Sequence, residues 1–221
     1  MAAPERTWLV PSRLRRVLIL GPPLALALLE ILHPLPELDA QSVMDVATWF
    51  AVFHVIQLAL VGLVVLSVIL LADDFGHAGA WSTRLGLGVF LVFFSAYDAV
   101  AGIATGLAMR SARDLSPIQQ EGVFEVVKDW PGVSPVFGLS IVGTPGWLVA
   151  VGALALAARR QGAPRSEWIL LALAAFFLML GHPFPGGTLA FGCLFAAGMV
   201  HEFRSGRDTA AEPRGPAFDD G

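Results

Sequence analysis

The chain has 221 residues, 56% of them hydrophobic and 14% charged, with a mean hydropathy of +0.69; soluble domains carry about 25% charged residues, so a deficit this large points to solvation by lipid. A formal net charge of −4 offers no basic footprint for nucleic acid. The single cysteine, Cys193, excludes an intrachain disulfide and a cysteine-based metal cluster, and the single lysine, Lys128, lies outside every apolar run, which excludes an intramembrane Schiff-base lysine.

Crossing about 30 Å of hydrocarbon takes roughly 20 apolar residues. Runs of that kind fall at about 14–33, 48–71, 85–109, 136–158, 167–182 and 186–203. They predict an all-α, polytopic integral membrane protein: one domain over 1–203 with six transmembrane helices, then a disordered cytoplasmic tail over 204–221. Helices are required because backbone polar groups in lipid must be satisfied within the segment or in a closed barrel, and these runs are too continuous for barrel strands.

The first run opens with Arg13, Arg15 and Arg16 and resembles a secretory signal, but Leu38-Asp39-Ala40 before Gln41 is a poor cleavage site, so a retained span is expected. Pro22 and Pro23 are expected to kink or restart it. Glu30 lies one turn before His33-Pro34-Leu35-Pro36, a helix stop. The second run carries His54 and Gln57, which share a helix face at i, i+3. The third carries Asp98 on a face with Ser95, Gly102, Thr105 and Met109, and Gly102-x-x-x-Gly106 invites close helix approach. At about 1.5 Å per residue, His54, Gln57 and Asp98 lie about 9, 13 and 15 Å below the outer ends of their spans.

Residues 110–135 are expected on the outer side. Ser116-Pro117 reads there as a helix start, and Val123, Val126, Val127 and Trp130 oppose Gln119, Gln120, Glu125 and Lys128, predicting a short amphipathic helix packed on its own bundle. Thr144-Pro145-Gly146 is expected to bend the fourth span. The fifth and sixth form a hairpin through His182-Pro183-Phe184-Pro185-Gly186-Gly187, a second copy of the His-Pro-x-Pro stop. His77, His201 and Glu202 read as interfacial.

Lys and Arg fix the orientation. With six spans, Arg6, Arg13, Arg15, Arg16, Arg84, Arg159, Arg160, Arg165, Arg204, Arg207 and Arg214 share one side, leaving Arg110, Arg113 and Lys128 on the other. The arginine-rich side is therefore read as cytoplasmic, with both termini inside a plasma membrane and the lipid bilayer as the partner.

Ionisable groups inside spans cost at least about 2.5 kcal/mol each, so each is a candidate site residue. Glu30, His33, His54 and His182 gather in the outer third as a candidate metal or haem site, since neutral imidazoles with a carboxylate suit Zn, Cu, Fe or Mn, and two histidines suit haem. Asp98 and Gln57 extend it inward as a candidate proton or ion relay. The competing readings are a scaffold or accessory subunit whose polar groups only set helix packing, and a small-solute or ion transporter. Hydrolase and phosphate-loop motifs are absent from the sequence.

Overall fold

A computed structural model describes residues 11–37, 39–75, 77–128 and 139–210. All regular structure among them is helical, with no strand. Three helical segments are long and apolar enough to cross a membrane: Ala40–Phe75, Ala80–Asp114 and Val142–Arg160.

Helix α1 (Ser12–Ile31) runs without a break through Pro22 and Pro23, against the expected restart. Proline has no N–H to give to the carbonyl four residues back, so Pro22 leaves the Leu18 carbonyl without its helical donor. Ser67 of the next helix supplies one: its Oγ donates to the Leu18 carbonyl at 2.5 Å. A hydroxyl on a neighbouring helix thus makes the proline tolerable in an apolar setting.

Helix α2 (Ala40–Ala72) starts where the Asp39 carboxylate accepts the Ser42 N–H at 2.9 Å; the Ser42 hydroxyl and then this N–H hold the Asp39 carboxyl below its ordinary range. Its 33 residues extend about 50 Å. Helix α3 (His77–Asp98) passes into a π-helical stretch over Ala99–Ala104 and then α4 (Thr105–Ser111), so the third predicted span is one rod with a widened turn in it. Helix α5 (Pro117–Lys128) is the expected short amphipathic element. Its buried face is Phe124 and Val127 packed on Ala40, Val43, Met44, Ala47 and Met109, whereas Val126 is 57% exposed and Trp130 lies outside the described residues. The helix is turned so that Val127 is the centre of its packed face, between Val123 and Phe124, which leaves Val126 on the flank away from Phe124.

Helix α6 (Leu139–Arg160) continues through Pro145. It presses on α3 through small residues: a Cβ built on Gly146 would lie 2.7 Å from the Phe90 nitrogen, and one on Gly86 would lie 2.7 Å from the Gly146 carbonyl oxygen. Gly162, with φ +74°, closes α6 as its Ala163 neighbour donates back to the Ala158 carbonyl at 3.0 Å. Helix α7 (Arg165–Phe177) tightens into a 3-10 turn at Leu178–Leu180, and α8 (Gly186–Ala210) returns beside it. Helix α8 therefore carries seven residues of the segment read as a disordered tail, 204–210. Arg204, 3.8 Å from Glu167, extends the bundle past the apolar run, and the sequence has no proline before Pro213 to end the helix; 211–221 lie outside the described residues.

The rods close on themselves. Helix α1 packs on α2, α2 on α3 and α4, α3 on α6, α6 on α7, α7 on α8, and α8 on α1. The core inside this ring includes Trp147, Phe90, Phe191, Leu87, Leu154, Leu171 and Leu194, all essentially inaccessible. The indole of Trp147 donates to the Ala174 carbonyl at 2.9 Å, which satisfies its one polar atom. Polar groups gather at the two ends of the ring instead.

Candidate metal centre

Four different segments deliver the polar residues of one end. Glu30 lies in the last turn of α1, and His33 in the turn that Pro34 forces immediately after it. Trp49 ties this turn to α2 by donating from Nε1 to the Leu32 carbonyl at 3.3 Å. His54 and Gln57 sit one turn apart on α2, Asp98 is the last residue of α3 before the π-helical stretch, and His182 lies in the turn before α8.

The three imidazoles converge. His33, His54 and His182 each offer one ligand nitrogen, and these nitrogens all lie within 4.8 Å of one another. The Nε2 atoms of His33 and His54 are 3.3 Å apart, close to the edge of a tetrahedron whose bonds are about 2.0–2.1 Å, the usual Zn–N length. The rings meet edge to face, His33 at 5.1 Å from His54 and 5.2 Å from His182 between centroids, with Phe53 packed on His33 at 4.8 Å.

The Nδ1 atoms of two of them face acceptors. His54 Nδ1 faces the Phe50 carbonyl at 2.7 Å. A carbonyl only accepts, so Nδ1 carries the proton and Nε2 keeps a lone pair directed at His33. His182 Nδ1 lies 3.0 Å from Glu30 Oε2, an ion-pair distance off the line of a hydrogen bond. Gln57 Nε2 bridges Glu30 Oε1 at 2.8 Å and His182 Nε2 at 3.3 Å. A carboxylate or carbonyl behind the non-ligating nitrogen is the usual outer partner of a metal-bound histidine.

Glycines make room for this. A Cβ on Gly102 would sit 2.0 Å from Cγ of His54, and one on Gly187 would sit 2.7 Å from Oε2 of Glu30. Gly187 lies in the first turn of α8, so the Glu30 carboxylate rests at the positive end of a 25-residue helix.

Asp98 is fully buried, and neither of its carboxylate oxygens has a hydrogen-bond partner among the described residues. Phe94, one turn before it, touches the His182 ring at 5.6 Å, and Gly102, one turn after it, touches His54. Asp98 is thus bracketed by the two helix positions in contact with the histidines. It also stands at the entry to the π-helical turn, a feature common at functional sites. Gln57 Oε1, Glu30 Oε2 and His33 Nδ1 are likewise buried without a hydrogen bond. Buried polar atoms left open in such numbers in one place call for an explanation such as an ion or water.

All six residues singled out in the sequence therefore fall at one end of the ring. Five of them, Glu30, His33, His54, Gln57 and His182, form one contact cluster, and Asp98 lies on α3 between Phe94 and Gly102, the positions that touch it.

The opposite end holds a second polar cluster. Arg15 donates to Glu202 Oε1 at 2.7 Å, to the Leu70 carbonyl at 3.2 Å and to Asp74. His201 Nδ1 meets Glu167 Oε1 and its Nε2 meets Asp74 Oδ2, both at 2.8 Å. Arg16 reaches Glu202 at 3.2 Å. His201 and Glu202, read as interfacial, are buried here because four segments direct opposite charges at one point. The available signal was the pairing of Arg15 and Arg16 near the start of the first span with Glu202 at the end of the last.

These two clusters and the helical ring define a class: an all-helical chain with three apolar, membrane-length helical segments and a cluster of three histidines, one buried and two half-buried, at one end. No protein-family model matches the chain, and no curated protein and no solved structure matches it either.

Proposed function

We propose that the chain is a six-span plasma-membrane protein, with α1, α7 and α8 crossing alongside the three long apolar segments and both termini cytoplasmic, and that its outer-end cluster binds a divalent transition metal. His33, His54 and His182 are the ligands through Nε2, the His182 nitrogen exchanging its contact with the Gln57 amide for the metal, and Asp98 is the candidate fourth ligand or the base beside a bound water. Glu30 orients His182 from its Nδ1 side, and Gln57 holds Glu30. The observation that carries this reading is the convergence of three ring nitrogens from three segments within 4.8 Å, backed by buried carboxylate oxygens without partners. Three imidazoles and oxygen donors suit Zn, Cu(II) or Fe(II) over Mg or Ca. Three histidines with one open position is the arrangement of a catalytic rather than a structural zinc site.

A single ion fits the arrangement better than haem. Bis-histidine haem needs two imidazoles on opposite faces of a flat macrocycle, and here the rings meet edge to face at about 5 Å with Gly102 pressed on one and Phe53 on another.

The test is elemental analysis by mass spectrometry of the detergent-purified protein, with an absorption spectrum to register haem. About one metal per chain is expected, and none in His33→Ala, His54→Ala or His182→Ala. Metal-free wild-type protein from metal-supplemented growth would refute the centre and leave the packing-only scaffold as the better account. The same metal content in all three variants would place any bound metal elsewhere.

A further inference from the structure

A cavity of about 460 Å³ opens beside the cluster, lined by Phe94, Tyr97, Thr144, Pro145, Leu178, Met179, Gly181 and His182. Its volume falls within the range of small-molecule sites, about 300–1,000 Å³. Its composition matches too: mostly apolar walls with a few polar groups, here the Tyr97 and Thr144 hydroxyls and the His182 imidazole. His182 is therefore shared. One part of the ring faces Glu30, Gln57 and His33, and another forms the cavity wall.

The position of the walls identifies the source of an occupant. Phe94 and Tyr97 belong to the membrane-length segment Ala80–Asp114, and Thr144 and Pro145 to Val142–Arg160. Where the cavity's wall nears the surface, Met179 is 42% exposed, and its neighbours Phe176 and Leu180 are exposed as well. Pro145, exposed on a membrane-length segment, and these apolar groups at the end of α7, which is proposed above to cross beside it, border a mouth that admits molecules from the bilayer more readily than from water, because a water-soluble ligand would desolvate its polar surface against them.

We infer that this cavity binds a membrane-soluble, single-chain amphiphile that enters from the bilayer and sets its polar head against Tyr97, Thr144 and His182, at the edge of the metal centre. The head is an acid or carbonyl group, which accepts hydrogen bonds from the two hydroxyls, and the chain leaves past Met179 into lipid. The inference rests on the proposed metal centre only for what lies behind His182, since the cavity exists without it.

The experiment uses the full chain in lipid nanodiscs with a palmitic acid carrying a diazirine near the carboxyl end as the probe. Labelled peptides are mapped after irradiation, and metal is measured in the same sample. The expected result is saturable labelling within 94–97 and 178–182, competed by unlabelled palmitate and reduced about tenfold in Thr144→Trp, which fills the cavity. Metal content should not change in that variant. Val149→Trp, which puts the same bulk at an exposed position of α6 outside the cavity lining, should label as the wild type does and so controls for disturbance of α6. Labelling that is unsaturable, or equal in Thr144→Trp, overturns the inference while the metal result stands. Saturable cavity labelling of a metal-free wild-type protein supports the amphiphile site and removes the metal reading instead.

Discussion

Gly102 and His54 constrain each other. The imidazole occupies the space a Cβ would take, and its Nδ1–H is fixed on the Phe50 carbonyl, so it has no room to retreat. Gly102→Ala should therefore fold, because alanine is the better helix former by up to about 1 kcal/mol, offset by an overpacking cost of about 1–3 kcal/mol. His54 should nonetheless be displaced and the metal lost. Metal stoichiometry beside a thermal unfolding curve checks this, and full metal retention would show that His54 is not a ligand. Glu30 calls for a different expectation, since it acts through His182 and Gln57. Glu30→Gln should lower metal affinity about 10–100-fold, the usual cost of an outer partner, without abolishing binding; competition against a chromogenic chelator reads the difference. An unchanged affinity would reduce the carboxylate to packing.

Among the elements, three of the six apolar runs, at 48–71, 85–109 and 136–158, were legible as membrane-length helices because hydrophobic length is a property of the sequence alone, and the two His-Pro turns were legible because proline stops helices locally. The continuity of α1 was not, since the Leu18 carbonyl is satisfied by Ser67, 49 residues away. Ser67→Ala should strand that carbonyl and cost about 1–3 kcal/mol, the penalty for an unmet buried acceptor, seen as a lower unfolding temperature with metal binding kept. The π-helical turn after Asp98 was not legible either, because it depends on how α2 packs against that stretch. The start of α2 has a pH signature that is local. The Ser42 hydroxyl and, after it, the Ser42 N–H lower the Asp39 carboxyl's pKa, so the cap's contribution is complete above the ordinary aspartate value of 3.8 and is lost as pH falls below it. Protection of the Ser42 amide, measured against its intrinsic exchange rate at each pH, should fall over that acid range in the wild type and stay level in Asp39→Asn, which keeps an acceptor but not the titration.

For the whole molecule, the two polar ends act differently on one ring. The Arg15, Asp74, Glu202, His201 and Glu167 cluster ties α1, α7, α8 and the end of α2 together, joining the first helix to the last. Arg15→Ala removes the shared cation from a buried network and should cost about 3–5 kcal/mol, whereas Arg16→Ala, at a mostly exposed side chain, should cost less than about 1 kcal/mol. The same geometry makes the orientation testable. Arg15, Arg16, Arg84 and Arg204 meet their acidic partners at this end, while Arg113 donates to the Met44 carbonyl near the start of α2, at the histidine end. Lysine and arginine excess marks the cytoplasmic face, so the histidine end should face outward. Ser116, exposed between α4 and α5, and Gln161, exposed at the α6–α7 turn, report on the two ends. In a Cys193→Ser background, Ser116→Cys should react with an impermeant maleimide on intact cells, and Gln161→Cys only after permeabilisation. The opposite pattern would turn the chain over and present the three histidines to the cytoplasm, so that any metal would be drawn from the cell's own pool.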